Sequence, residues 1–388
     1  MVARSDEDRP HDHQGLKMMK IASLETILLK IPFGTSGGPA TIAGAPATGL
    51  TILLVRVETD NGLVGWGEAF GHGVAPATKV VLDTLVGPFF IGRDPTDVAA
   101  LMKEAQQALH LYGRNGPVMY AFSGIDIALW DIAGKRAGLP LHQLLGGSRR
   151  TEIPAYASLT RYGEEAALIA NCRRALDLGY RIVKVHEVDP ALVAAARATV
   201  GPDIPLMMDT NCPWTVDEAR AMARILRPLD LYWLEEPVWP PEDHRGIAAV
   251  RAEGVPLAAG ENACGGLQDF RRLFEVGAID FAQPSVTKIG GITEVRKIIA
   301  LAEAFGVRLV PHCAYFGPGY LASVHIAATL AEAVPLERLF MDLEIGPFSP
   351  YTDAAGGKVP VPQSPGLGCD PSPEMIRRYR THPSTVAK

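Results

Sequence analysis

Residues 204–211 read Ile-Pro-Leu-Met-Met-Asp-Thr-Asn, residues 231–237 Leu-Tyr-Trp-Leu-Glu-Glu-Pro and residues 255–262 Val-Pro-Leu-Ala-Ala-Gly-Glu-Asn. Each is a short apolar run ending on a carboxylate, and Asp209, Glu235 and Glu261 follow one another at equal intervals. The pattern extends both ways at nearly the same spacing, to Lys184 on one side and to Ser285 and then His312 on the other. Further apolar runs occupy 153–159, 181–185, 279–282 and 307–310, with amphipathic stretches such as 164–178, 216–226 and 292–305 between runs. Near-continuous apolar strands alternating with helices predict a parallel sheet covered by helices. A β/α barrel takes eight such units over about 250 residues and would gather the polar residue ending each run into one ring at the top of the strands.

The 388 residues exceed what one barrel needs. Residues 1–17, polar and acidic, read as a disordered arm. Residues 18–146 read as a small α+β domain. Lys20–Pro32 and Leu50–Glu58 are strand candidates, Asp60-Asn61-Gly62 signals a hairpin, and helical patterns dominate from Ala75 to Gly138. The Gly/Ala/Thr-rich segment 34–49 reads as a mobile loop. Residues 147–345 carry the strand–helix repeats, and 346–388 form a tail.

Composition narrows the function classes. A net charge of −6 offers nothing to attract nucleic acid or an anionic membrane. The N-terminus lacks a secretory pattern, and no apolar run is long enough to span a bilayer. Five cysteines without a CxxC pair suggest neither a disulfide framework nor a zinc knuckle and fit a reducing, cytoplasmic compartment.

Three carboxylates on adjacent strand ends repel one another unless a cation sits between them. All-oxygen ligation selects a hard cation, and magnesium keeps positions open for substrate. Glu236 adjoins Glu235, but successive strand residues point to opposite faces, so only one of the two can face the metal.

At these residues the sequence resembles the enolase superfamily, in its mandelate racemase / muconate lactonizing enzyme branch. Ala121-Phe122-Ser123-Gly124-Ile125-Asp126-Ile127-Ala128-Leu129-Trp130-Asp131 matches one pattern of that branch. A second runs from Leu206 through Asp209-x-Asn211, Ala219 and Leu226 to Leu234-Glu235-Glu236-Pro237. Gly260-Glu261-Asn262 and Lys288-Ile289-Gly290-Gly291 are also similar to the family. The resemblance spans roughly residues 18–370. It implies a modified (β/α)7β TIM-like barrel, a capping domain built from the N-terminal part and the C-terminal tail, and one magnesium ion held by Asp209, Glu235 and Glu261. It also implies a homo-oligomer. In the first pattern, Ser123, Asp126 and Asp131 read as packing or capping residues.

The hydrogen α to a carboxylate is barely acidic, and removing it needs a cation on the carboxylate and a base aimed at the carbon. Where the family often has Lys-x-Lys on the second strand, this chain has Lys184-Val185-His186. The i, i+2 spacing puts both side chains on one face. By position His186 is the base, and Lys184 is a cation beside the substrate carboxylate. On the opposite wall the branch pairs a histidine, here His312, with a sixth-strand aspartate. Ser285 stands at the aspartate's position, and a hydroxyl orients the ring without supplying countercharge. Asn211 is placed to touch substrate. Near the eighth strand, Glu344 is a candidate to bond the substrate carboxylate, with Asp342 the alternative. His72 is a candidate lid residue or a solvated loop residue, and Lys288 a structural or rim residue. Cys212, Cys264 and Cys313 read as packing residues.

The reading that follows is a magnesium-dependent enzyme that removes the proton α to a carboxylate through an enediolate. The expected reaction is dehydration of an acid sugar in carbohydrate-acid catabolism. The alternatives are a racemase or epimerase of an α-hydroxy or amino acid, and a catalytically degenerate ligand-binding barrel.

Overall fold

The computed structural model describes residues 19–34, 41–42, 45–263, 265–381 and 385–387. The arm at 1–17 and Cys264 lie outside the described residues, as does much of the loop at 34–49.

Strands β1 (Ile21–Gly34), β2 (Gly49–Thr59) and β3 (Val64–Ala69) form an antiparallel meander. Helix α1 (Gly116–Ala137) lies against it. Its buried residues run all round, which suits a helix packed between layers rather than on a surface. The close approach depends on glycine: a Cβ on Gly67 would sit 1.9 Å from the Gly124 carbonyl oxygen.

The barrel follows. Strands β4 (Glu152–Ser158), β5 (Val183–Val185), β6 (Leu206–Asp209), β7 (Trp233–Glu235), β8 (Leu257–Ala259), β9 (Phe281–Ala282) and β10 (Arg308–Leu309) pair in parallel, in chain order. The last strand, β11 (Leu336–Leu339), returns to pair with β4. Seven helices connect them: α2 (Glu165–Asp177), α3 (Pro190–Val200), α4 (Val216–Leu226), α5 (His244–Arg251), α6 (Leu267–Glu275), α7 (Gly291–Phe305) and α8 (Pro318–Thr329). This is the (β/α)7β arrangement, with all seven expected apolar runs forming strands. Among the described residues no ladder joins β10 to β11; a side-chain bond spans the seam, the Cys313 N–H donating to Glu337 Oε2 at 2.9 Å. In the tail, Thr385–Ala387 adds to β1 and Lys358–Pro360 adds to β4.

The motif in α1 ties these parts together. Ser123 Oγ accepts from Gly290 N–H at 2.8 Å, and Asp126 accepts from Thr293 N–H at 3.0 Å, so both hold the first turn of α7. Asp131 accepts from Trp66 N–H at 2.9 Å and from Leu367 N–H at 2.8 Å, and it pairs with Lys135 at 2.8 Å. Asp131→Ala leaves two buried N–H groups without acceptors and is expected to lower stability by about 2–4 kcal/mol. Equilibrium denaturant unfolding measures this, and a loss below about 1 kcal/mol would show that water replaces the carboxylate.

Candidate active site

The strand ends bring one polar side chain after another to the barrel mouth. The parallel register sets Asp209 directly beside Glu235, with Glu261 just past the end of β8. At the centre is Lys184, whose side chain is fully buried. Its ammonium lies 3.1 Å from Asp209 Oδ2, 3.1 Å from Glu235 Oε1 and 2.8 Å from Glu337 Oε1. Burial works against that charge, but Glu235, Glu337 and Asp209 outweigh it and hold Lys184 well above the usual lysine range.

Glu337 belongs to this ring, and Glu344 does not. Glu344 binds Arg378 and accepts from the Tyr379 hydroxyl at 3.1 Å, and its carboxylate is part-exposed. Asp342 pairs with Arg174 at 2.6 Å. Glu337 accepts from Ser158 Oγ at 2.8 Å and lies 3.8 Å from His312. Burial opposes its charge, yet Lys184 and His312 lower it to about 2. The eighth strand offers no clean apolar run, because Glu337 and Arg338 interrupt Leu-Glu-Arg-Leu. Its usable signal is the period, since Glu337 follows His312 by nearly the interval that separates the other strand ends.

His186 stands at the end of β5. Its Nδ1 meets the Leu159 carbonyl, an acceptor that a proton on that nitrogen would satisfy. Nε2 points inward, 3.2 Å from Asp209 Oδ2. His312, from the far side, places Nε2 2.9 Å from Glu261 Oε2, while its buried Nδ1 has no hydrogen-bond partner among the described residues. This corrects the role expected for Ser285. Its hydroxyl lies beside β10 but reaches Thr287 at 3.4 Å and Tyr315 at 3.5 Å, not the imidazole. A serine side chain is too short to cover the distance an aspartate would.

Asn211 caps Asp209 rather than facing the open mouth: its N–H and Nδ2 donate to Asp209 Oδ1 at 3.1 and 3.0 Å. Asn211, Cys212 and Glu236 all have left-handed backbone, with φ of 54°, 56° and 44°. Such strain in non-glycine residues clusters at functional sites. Glu236 turns away from Lys184 toward Asn262 and the Gly260 N–H. Burial, with Glu261 adding, raises it to about 7. Burial raises the thiols of Cys212 and Cys313, which disfavours the thiolate form a nucleophile needs.

The capping domain closes over this mouth. Phe70 N–H donates to the Thr287 carbonyl at 3.2 Å, and Glu68 accepts from Gly319 N–H at 2.9 Å. Burial raises Glu68 to about 8. The Lys288 ammonium sits over the Phe70 ring at 4.4 Å and lies 3.5 Å from Glu261. His72 packs edge-on against Phe70, and burial, with Lys288 and His312 adding, lowers it to about 4. It therefore approaches the site as a neutral ring.

Two family models match the chain: the mandelate racemase / muconate lactonizing enzyme N-terminal domain over residues 27–146, and the enolase C-terminal domain-like model over 167–375. The chain belongs to the enolase superfamily, in its mandelate racemase / muconate lactonizing enzyme branch. Among its relatives, a D-galactarolactone cycloisomerase of Agrobacterium fabrum is 34% identical, over 93% of this chain and 99% of that protein. An arabinonate dehydratase of Saccharolobus solfataricus is 31% identical, over 87% of this chain and 93% of that protein. The L-talarate/galactarate dehydratase of Salmonella typhimurium LT2 superposes with a TM-score of 0.83 at 25% identity, covering 100% of this chain and 97% of that one. A mutant L-talarate/galactarate dehydratase has been solved with magnesium and L-glucarate.

The donor set of this enolase-superfamily chain suits a hard dication by charge. Asp209, Glu235, Glu236, Glu261 and Glu337 bring five carboxylates into the mouth, against the two ammonium groups of Lys184 and Lys288. The shortage of positive charge shows in Glu235, which burial and the neighbouring Asp209 push well above the usual carboxylate range. The ligand side chains are not drawn to one point: among the described residues no three acidic, imidazole or thiol groups form a ligating cluster. Asp209 and Glu235 turn onto Lys184, and Glu261 turns onto His312 and Lys288. Carboxylates that repel one another take the nearest cation. The strand register brings Asp209 and Glu235 side by side, while the side chains of the three expected ligands point to different cations.

Proposed function

We propose that this protein abstracts the proton α to the carboxylate of an acid sugar and then expels the β-hydroxyl, with magnesium held by Asp209, Glu235 and Glu261. The observation that carries this is the pair of imidazoles. His186 Nε2 and His312 Nε2 enter one carboxylate cluster from separate strand ends, β5 and β10, each within 3.2 Å of a different proposed ligand. The metal supplies Lewis acidity toward the substrate carboxylate. His186 Nε2 takes the α-proton, and Lys184 holds positive charge beside the carboxylate. His312 delivers a proton to the departing oxygen. Its Nε2, 2.9 Å from Glu261 Oε2, is the ring nitrogen that faces the cluster and is the one placed to hand over a proton. His72 faces the rest of the substrate. Four free cysteines, Cys172, Cys212, Cys313 and Cys369, support a reducing cytoplasm. No helix among the described residues is long and apolar enough to cross a membrane. A homo-oligomer, as the resemblance implies, is part of the same proposal.

A second reading is favoured by the 34% identity to a cycloisomerase. Opening a lactone by β-elimination uses the same proton abstraction and differs only in the oxygen that leaves. Proton NMR in deuterium oxide over a library of acid sugars and their lactones, with magnesium present, separates the outcomes. A keto-deoxy acid identifies the dehydratase, ring opening without loss of water the cycloisomerase, and α-exchange alone a racemase. No exchange and no conversion across the library would overturn the reading. Chelation is expected to abolish conversion and added magnesium to restore it.

A further inference from the structure

The end of the first barrel strand supplies no group to the proposed reaction, yet it holds the group that does the most. Leu159, immediately past β4, presents its carbonyl to His186 Nδ1. Slightly further on, Arg161 donates from Nε to the His186 carbonyl at 2.6 Å and from Nη2 to the Thr210 carbonyl at 3.2 Å. Those carbonyls end β5 and β6, one on the proposed base and one beside the proposed ligand Asp209. Neither accepts a backbone N–H among the described residues, and Arg161 forms no ion pair there. A half-buried guanidinium used on two carbonyls of adjacent strands is a strap, and its planar fork suits that task where a lysine's point charge does not.

We infer that residues 159–161 set the tautomer and position of the base, with Leu159 fixing the proton on Nδ1 and Arg161 serving as the positioning residue for His186. The inference rests on the proposed role of His186. Asp209 Oδ2, 3.2 Å from Nε2, competes for the single proton of a neutral ring; with Asp209 engaged by a metal the Leu159 carbonyl keeps that proton on Nδ1, and only then does Nε2 offer a lone pair to the substrate carbon. Small misplacements of a reacting group cost large factors in rate, so the strap acts on kcat rather than on binding.

The test uses the magnesium-loaded protein labelled with ¹⁵N, at about pH 9, where an ordinary imidazole is neutral. Long-range ¹H–¹⁵N correlation is expected to show His186 as the Nδ1–H tautomer. Arg161→Met is expected to mix the tautomers and lower kcat ~10–100-fold, with KM nearly unchanged. Arg161→Lys should fall between. An Nε2–H tautomer in the unmodified protein overturns the inference. So does an Arg161→Met variant that loses melting temperature but keeps tautomer and kcat. Full turnover by His186→Asn would instead remove the base on which the inference rests.

Discussion

Replacing His186 by asparagine is expected to slow turnover about 10²–10⁴-fold, the range a positioned general base supplies. Asparagine keeps a short polar side chain able to donate to the Leu159 carbonyl, so the strand end retains its partner. It offers no basic nitrogen toward the space beside Asp209, where Nε2 now lies at 3.2 Å. The loss should therefore fall on kcat, with KM and melting temperature close to those of the unmodified protein. Steady-state kinetics on a substrate found in the acid-sugar library reads this directly. Retention of full turnover would take His186 out of the mechanism.

Lys184→Met is expected to have a larger consequence, because it reaches the fold as well as the chemistry. One ammonium now lies within 3.1 Å of three buried carboxylates, those of Asp209, Glu235 and Glu337. Methionine fills a similar volume and leaves all three without that cation. Removing one partner of a buried charge cluster costs about 3–5 kcal/mol. Activity should be lost together with this stability, since the same charge is proposed to face the substrate carboxylate. If Asp209 and Glu235 bind magnesium, adding it should recover part of the lost stability in Lys184→Met. Denaturant midpoints with and without magnesium measure both effects. An unchanged midpoint in the metal-free variant would show that Lys184 is not the centre of the cluster.

Much of this site is legible in the amino-acid order. The apolar runs ending at Asp209, Glu235 and Glu261 form β6, β7 and the exit from β8. The i, i+2 spacing places Lys184 and His186 on one inward face, where both reach Asp209. The assignments that the structure corrects share a cause, which is that each depends on which partner the side chain reaches once the barrel is folded. Glu344 lies in a less polar stretch than the true eighth strand, which carries Glu337 and Arg338 inside it. Ser285 sits beside His312 in register, yet its hydroxyl bonds to Thr287 and Tyr315 instead. Arg161 has no motif to mark it, although it precedes Lys184 by nearly the interval of the strand ends.

The amino-acid order alone determined the strand–helix alternation and the positions of Asp209, Glu235, Glu261 and His186 at or just past the strand ends, because hydrophobic period and the two-residue repeat of a strand are local properties. Which distant groups meet was decided only by closing the barrel. Lys184 on the second strand touches Glu337 on the eighth, and Glu68 caps a helix 251 residues on. A side chain's partner at the mouth depends on strand stagger, on how far the chain reaches, and on which neighbour arrives first. Those quantities come into being when β11 lies down beside β4.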